Sequence, residues 1–256
     1  MRRKAGGEPP VFLYRNEKRM NSSEKADTPV KQQKLPRLDA RLSAALPFVR
    51  AGSLLCDVGT DHAYLPIYLT LTGKIRGAVA TDINEGPIAR ADANIFSAGL
   101  AGKIRTLCTD GLHGAETDDP DDVLIFGMGG DLIVRIIREA PFLYAPGKRL
   151  ILQPMTHAET VRAALARDGF RITGETLAKT DRIYQIICAD YDGVARTLTP
   201  AEAWLGPCNI ARGGELFRDF VRHEIKVLSA RARGKQSAGD PAEAECAWIH
   251  EMEGYL

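Results

Sequence analysis

With 256 residues, 45% of them hydrophobic and 26% charged, the chain suits one ordinary soluble domain or a domain with an appendage. No apolar run reaches membrane-spanning length, and the basic N-terminus lacks the apolar core of a signal peptide. A net charge of +1 excludes a broadly basic nucleic-acid coat, and five scattered cysteines without a C-x-x-C pair exclude a disulfide framework and a zinc site.

The cysteines read as buried thiols of a cytoplasmic protein, and no metal is expected. Residues 1–34 hold nine Lys/Arg against four Asp/Glu and no sustained apolar period, so they read as a disordered basic extension. The remainder therefore carries about −4, and RNA contact there must rest on local patches. From Leu38 the spacing of Leu42, Ala45, Leu46 and Val49 predicts a helix that Gly52 closes.

Strands and helices then alternate. Strands are expected at 53–58, 77–82, 104–109, 122–127 and 149–153, with helices at about 62–73, 85–98, 130–139 and 157–167. That rhythm argues a parallel sheet covered on both faces. Residues 170–180 and 182–191 are β-rich and joined too tightly for a helix, so they must pair as an antiparallel hairpin. The rest, 194–256, reads as a helical appendage to a domain at 35–193. One helix covers about 215–230, Gly234 to Gly239 break it, and Asp240-Pro241-Ala242-Glu243 restarts it with Asp240 as N-cap. Trp248, Ile249, Met252 and Leu256 then share one side, giving a helical hairpin.

The expected strand ends present Asp57, Gly59 and Asp61, then Asp82, then Asp110-Gly111, then Gly127-Met128-Gly129-Gly130. In open α/β sheets ligands bind at that edge. A dinucleotide is disfavoured: its pyrophosphate needs G-x-G-x-x-G, and here Asp61, His62 and Tyr64 crowd the turn with carboxylate that repels phosphate. A cationic cofactor reverses the sign. S-adenosylmethionine carries a sulfonium and an ammonium and no phosphate; its ribose suits Asp82, and its adenine suits Asp110 with the Gly111 N–H.

The blocks D-V-G-T-D-H-A-Y-L-P-I (57–67), T-D-I-N-E-G-P (81–87), D-G-L (110–112), G-M-G-G (127–130) and L-I-L-Q-P (150–154), with Leu38-x-x-Arg41-Leu42 before them, resemble the bacterial tRNA adenine-N1 methyltransferases of the TrmK type. The resemblance runs from about Leu38 to Asp190 and loosely beyond. It implies a Rossmann-like methyltransferase sheet ending in an antiparallel hairpin, and methylation of adenine 22 in the D-arm region of tRNA. It further implies that Asp57 and Gly59 line the methionine end of the cofactor, Asp82 the ribose, and Asp110 with Gly111 the adenine, with Asp61, His62, Ile83 and Gly127 counted among the cofactor-binding residues as well. Asp61, Met128 and Gly129 face the target base, Asp61 as the acceptor that orients its exocyclic amine.

Arg41, and Arg218, Arg222 and Lys226 at four-residue spacing on the tail helix, are the candidate RNA contacts. Tyr64 reads as core, Gln153-Pro154 as a strand-ending turn, and Cys108 as buried packing. A monomer or weak homodimer is expected, with tRNA as the partner. The alternatives are a methyltransferase of another RNA or of a small molecule, and a non-catalytic RNA-binding protein that keeps the cofactor pocket.

Overall fold

The computed structural model describes residues 35–256, so the reading of 1–34 lies outside the described residues. Seven strands form one sheet: β1 (Leu54–Val58), β2 (Gly77–Asp82), β3 (Ile104–Cys108), β4 (Asp122–Gly129), β5 (Arg149–Thr156), β6 (Phe170–Lys179) and β7 (Ile183–Tyr191). Their order is β3-β2-β1-β4-β5-β7-β6. The first five run parallel, and β7 lies antiparallel between β5 and β6, with Leu150 opposite Ala189 and Leu177 opposite Gln185. This is the expected sheet with its terminal hairpin. The central strands are continuous apolar runs because both faces are covered.

On one face α1 (Ala40–Ser43), α2 (Tyr64–Leu71) and α3 (Glu85–Ser97) cover Leu55, Ala80, Leu124 and Ile151. On the other, α4 (Gly130–Arg138) and α5 (Ala158–Arg167) cover Val58, Ile125, Leu152 and Phe170. The first helix is shorter than its spacing predicts. Pro47 has no N–H and its ring collides with a preceding helical turn, so the chain leaves α1 in i→i+3 turns, Ala45 N–H to Leu42 O and Leu46 N–H to Ser43 O. The helix expected at 62 begins at Tyr64, because Ala63 holds a left-handed φ of 54°.

The tail contains α6 (Pro200–Leu205), α7 (Pro207–Arg212), α8 (Glu215–Ala238) and α9 (Glu243–Glu253). Trp204, Leu205, Phe217, Phe220, Val221, Leu228 and Met252 form its core, with Leu177 and Ile183 of the sheet packed against it. Two expectations are corrected here. Helix α8 runs straight through Gly234, since one helical glycine costs only about 1 kcal/mol and the buried Leu228 and Ala232 hold the turns before it. It ends at Gly239, in the left-handed region, where the Gly239 N–H donates to Gln236 O and the Asp240 N–H to Lys235 O. Asp240 is thereby spent on the C-terminal cap of α8, and α9 starts three residues later with Ala242 at its N-cap. Leu256 is half exposed rather than packed on the hairpin.

The reading of all cysteines as buried is also corrected. Cys56 and Cys188 are buried, but Cys108 and Cys246 are exposed. Cys108 closes β3, the edge strand, where only one neighbour covers the chain. Among the described residues no helix is long and apolar enough to cross a membrane.

Candidate active site

The parallel strands end their carboxyl termini at one edge, and a cleft of about 320 Å³ opens there. Gly59, Asp82, Ile83, Asp110, Gly111 and Gly127 all line it, joined by Met128. The turn after β1 is tight: the N–H groups of Gly59 and Thr60 both donate to Thr81 O, at 2.8 and 2.9 Å. Gly59 has φ +77°, and a Cβ there would stand 2.4 Å from the Met128 Cε, so only glycine lets the thioether methyl lie across the turn. Gly127, φ +77°, leaves the same kind of gap at the end of β4. Thr60 Oγ1 is buried without a hydrogen-bond partner among the described residues.

Asp57 sits behind the cleft, within β1, and burial pushes its carboxyl up to about 6. Asp82 accepts from the Asn84 N–H at 2.9 Å and the Asn84 side chain at 3.3 Å, both through Oδ1. Ile83 is 62% exposed, an apolar surface presented to the cleft beside that carboxylate. Asp110 meets Arg135 of α4 in a paired geometry, 3.1 and 3.2 Å, and that guanidinium holds its carboxyl below the usual range. The Gly111 carbonyl accepts from the Thr81 hydroxyl at 2.9 Å, which ties the β3 turn to β2. Past Asp110 and Gly111 the cleft continues into a recess of about 250 Å³ under Ile136 and Phe142.

Three expected residues stand apart from this lining. Asp61 is at the rim, its Oδ1 accepting from Arg90 of α3 at 2.6 Å and its Oδ2 3.3 Å from the His62 ring; Arg90 holds its carboxyl below the usual carboxylate range. His62 stacks flat on Tyr64, 4.9 Å between centroids, rather than facing the cleft, and Tyr64 is exposed rather than core. Gly129 belongs to the irregular end of β4, paired with Thr156, where a Cβ would come 3.3 Å from the Thr156 hydroxyl.

Arg41 arrives from α1 at the far side of the cleft. Its Nη1 donates to Gln153 Oε1 at 3.0 Å and lies 3.3 Å from where a Gly127 Cβ would be. Gln153 is therefore more than a strand-ending turn: fully buried, it joins α1 to the cleft wall. Arg218, Arg222 and Lys226 are exposed along α8, and Arg222 pairs with Asp219 at 3.1 Å.

The cleft has the chemistry of a cationic, phosphate-free ligand: carboxylates at two strand ends, a third buried behind them, and glycines where a side chain would fill the space. A family model described as a methyltransferase domain matches residues 38–187. The tRNA (adenine(22)-N(1))-methyltransferase of Bacillus subtilis is 32% identical over 167 residues, 62% of this chain and 70% of that one. The chain belongs to the tRNA (adenine(22)-N(1))-methyltransferase family.

Solved structures agree with this methyltransferase along nearly their whole length. A Streptococcus pneumoniae protein crystallised with S-adenosyl-L-methionine is 32% identical, covers 84% of this chain and 99% of its own, and superposes with a TM-score of 0.75. The Bacillus subtilis m1A22 tRNA methyltransferase TrmK is 27% identical, covers 86% and 95%, with a TM-score of 0.72. The cofactor is S-adenosylmethionine, as the sign of the cleft's charge implies. Its residues fit that group: Asp82 Oδ2 has no partner among the described residues, and the cleft presents no Gly-rich phosphate cradle.

Sequence reasoning missed Arg135 and Arg90, which clamp Asp110 and Asp61. Both sit on helices two or three elements downstream of their partners, at no fixed spacing from them, so only the packed sheet brings them together.

Proposed function

We propose that this enzyme transfers a methyl group to N1 of adenine 22 of tRNA in the cytoplasm, with residues 35–193 carrying the reaction and 194–256 helping to hold the RNA. The observation that supports this most directly is the cleft itself, where the strand ends gather acidic groups and glycines around space beside Met128. The bound cofactor supplies an electrophilic methyl on a sulfonium. Adenine N1 has an in-plane lone pair and needs no strong base, so the chain's work is positioning. Asp82 holds a ribose through its free carboxylate edge, and Ile83 offers an apolar face beside it. Gly127 and Met128 leave a flat slot for a purine, with the thioether as a soft contact. Asp61, kept ionised by Arg90, is the acceptor for the exocyclic amine and stabilises the cation formed on the base.

Methyl transfer from labelled S-adenosylmethionine to unmodified tRNA, mapped by nuclease digestion and mass spectrometry, tests this reading. N1-methyladenosine in the D-arm is the expected product. Asp61→Ala should lower kcat about tenfold with cofactor affinity held, since the residue faces the base side. Equal loss of cofactor binding would place Asp61 at the cofactor instead.

Asp57 gives the cleft a pH dependence. Its pKa of about 6 lies above the 3.8 of an unperturbed aspartate, so the cofactor-free fold holds this proton more tightly than the unfolded chain. Ionising it therefore costs stability as pH rises from about 4 to about 6. A cationic ligand favours the ionised form. Cofactor affinity should thus weaken as pH falls below about 6, and Asp57→Asn should flatten that limb in a calorimetric titration series; an unchanged limb would exclude Asp57.

A further inference from the structure

A second groove, about 470 Å³, begins where the cofactor cleft stops. Met128 lines the cleft, and its register partner Pro154 lines the groove. The groove runs from the end of β5 past the β6–β7 turn to α8, with Trp204 beneath it and Arg182, Tyr184 and His223 along its walls. It has no place in the cofactor chemistry described above.

Tyr184 links the two sites. The Arg41 guanidinium, at the cleft rim, lies 5.9 Å from the Tyr184 ring centroid, and the Arg182 guanidinium lies 5.2 Å from the same centroid. The Tyr184 hydroxyl donates to Asp181 Oδ1 at 3.1 Å, which fixes the ring. One aromatic ring thus holds two permanently charged donors in a row that leads from the slot beside Met128 into the groove. Glu159 and Glu224 also face the groove, and Arg231 is engaged with Glu245. Burial pushes Glu224 up to about 7, so the acidic wall is only partly charged at neutral pH while the two arginines remain cationic.

We infer that Arg41, Tyr184 and Arg182 clamp the RNA strand that enters the groove from the target nucleotide, each arginine taking a phosphate and Tyr184 acting as the positioning residue between them. The inference rests on the reading that the enzyme methylates an RNA base. An adenine must leave its stack to reach the cleft, which frees the flanking backbone from helical geometry and exposes successive phosphates along one path. Phosphate contacts fix register without reading sequence, the role this row of charge can perform.

The test is equilibrium binding of tRNA to the full chain over a range of salt, alongside steady-state kinetics. Arg182→Ala should lower the slope of log K against log salt by about 0.7 to 0.9, the value of one released counterion. It should also raise the tRNA KM about tenfold while cofactor affinity and melting temperature hold. Tyr184→Leu should raise KM comparably, and combining the two should give less than the product of their effects, because both act on the same guanidinium. Lys103→Ala, at the opposite end of the strands, should leave slope and KM unchanged. An unaltered slope in Arg182→Ala, or an equal fall in Lys103→Ala, overturns the clamp. Binding is read without turnover, so absence of methyl transfer by the wild type would reject the proposed reaction separately.

Discussion

Glu175→Ala should destabilise the protein by about 3–5 kcal/mol, lowering the melting temperature by about 10 °C. Glu175, on β6, and Arg162, on α5, are both fully buried, with Arg162 Nε donating to Glu175 Oε1 at 2.7 Å. The arginine also donates to Gln185 at 2.7 Å and to the carbonyls of Ala203 and Trp204 at 3.0 and 3.1 Å. The other carboxylate oxygen accepts from the Cys208 N–H at 2.9 Å. Removing the carboxylate therefore leaves the buried guanidinium without its counter-charge and the part-buried Cys208 N–H without its acceptor, which costs far more than the pair contributes when intact.

The geometry has a second signature. Gly206, φ +87°, comes so close that a Cβ would stand 2.4 Å from both Glu175 oxygens. Its glycine is needed for the turn and for the approach alike. The pair joins the sheet to α6 and α7, and so positions α8 beside the groove. In Glu175→Ala the tRNA KM should rise at temperatures where cofactor affinity is still normal. A loss below about 1 kcal/mol in urea unfolding would show that the joint is not held this way.

What the sequence discloses follows from how local each cause is. Strand and helix alternation, the hairpin, and the acidic and glycine strand ends are written within a few residues of where they act, and the sheet bears them out. Pro47 is equally local, but the leucine spacing around it runs on past it, and α1 stops at Ser43. Helices α6 and α7 have no counterpart in the apolar spacing, although Thr199-Pro200-Ala201-Glu202 is a capping box with proline in the first turn, Glu202 N–H to Thr199 at 3.2 Å and Thr199 N–H to Glu202 at 2.8 Å. Asp240 misled for the opposite reason: its N–H is claimed by the preceding helix, which a pattern read forward from Asp240 does not include. Arg162, Arg90 and Arg135 belong to another class. Arginine on a helix is ordinarily a solvated residue, and only the assembled fold shows that one is buried and two hold acidic side chains at the cleft.

Asp82→Ala should weaken S-adenosylmethionine binding by about 1.5–3 kcal/mol, tenfold or more in Kd, with little loss of folding stability. The carboxylate lies at the carboxyl end of β2, partly exposed, and the structure uses only half of it. Oδ1 takes the Asn84 N–H and fixes the turn into α3, while Oδ2 points outward without a partner among the described residues. A carboxylate held at one oxygen is already oriented, so hydrogen bonds from two neighbouring ribose hydroxyls do not have to offset the freezing of a side chain. Charge strengthens each of those bonds over a neutral acceptor. Asp82→Asn separates the two contributions, because it keeps an oxygen for the Asn84 turn and removes the charge; its loss should fall between wild type and alanine. Calorimetric titration with cofactor reads Kd directly, and the melting shift on adding cofactor should shrink in the same order. A Kd within twofold of wild type for Asp82→Ala would move the ribose elsewhere along the cleft, toward Asp110, whose carboxylate would first have to leave Arg135.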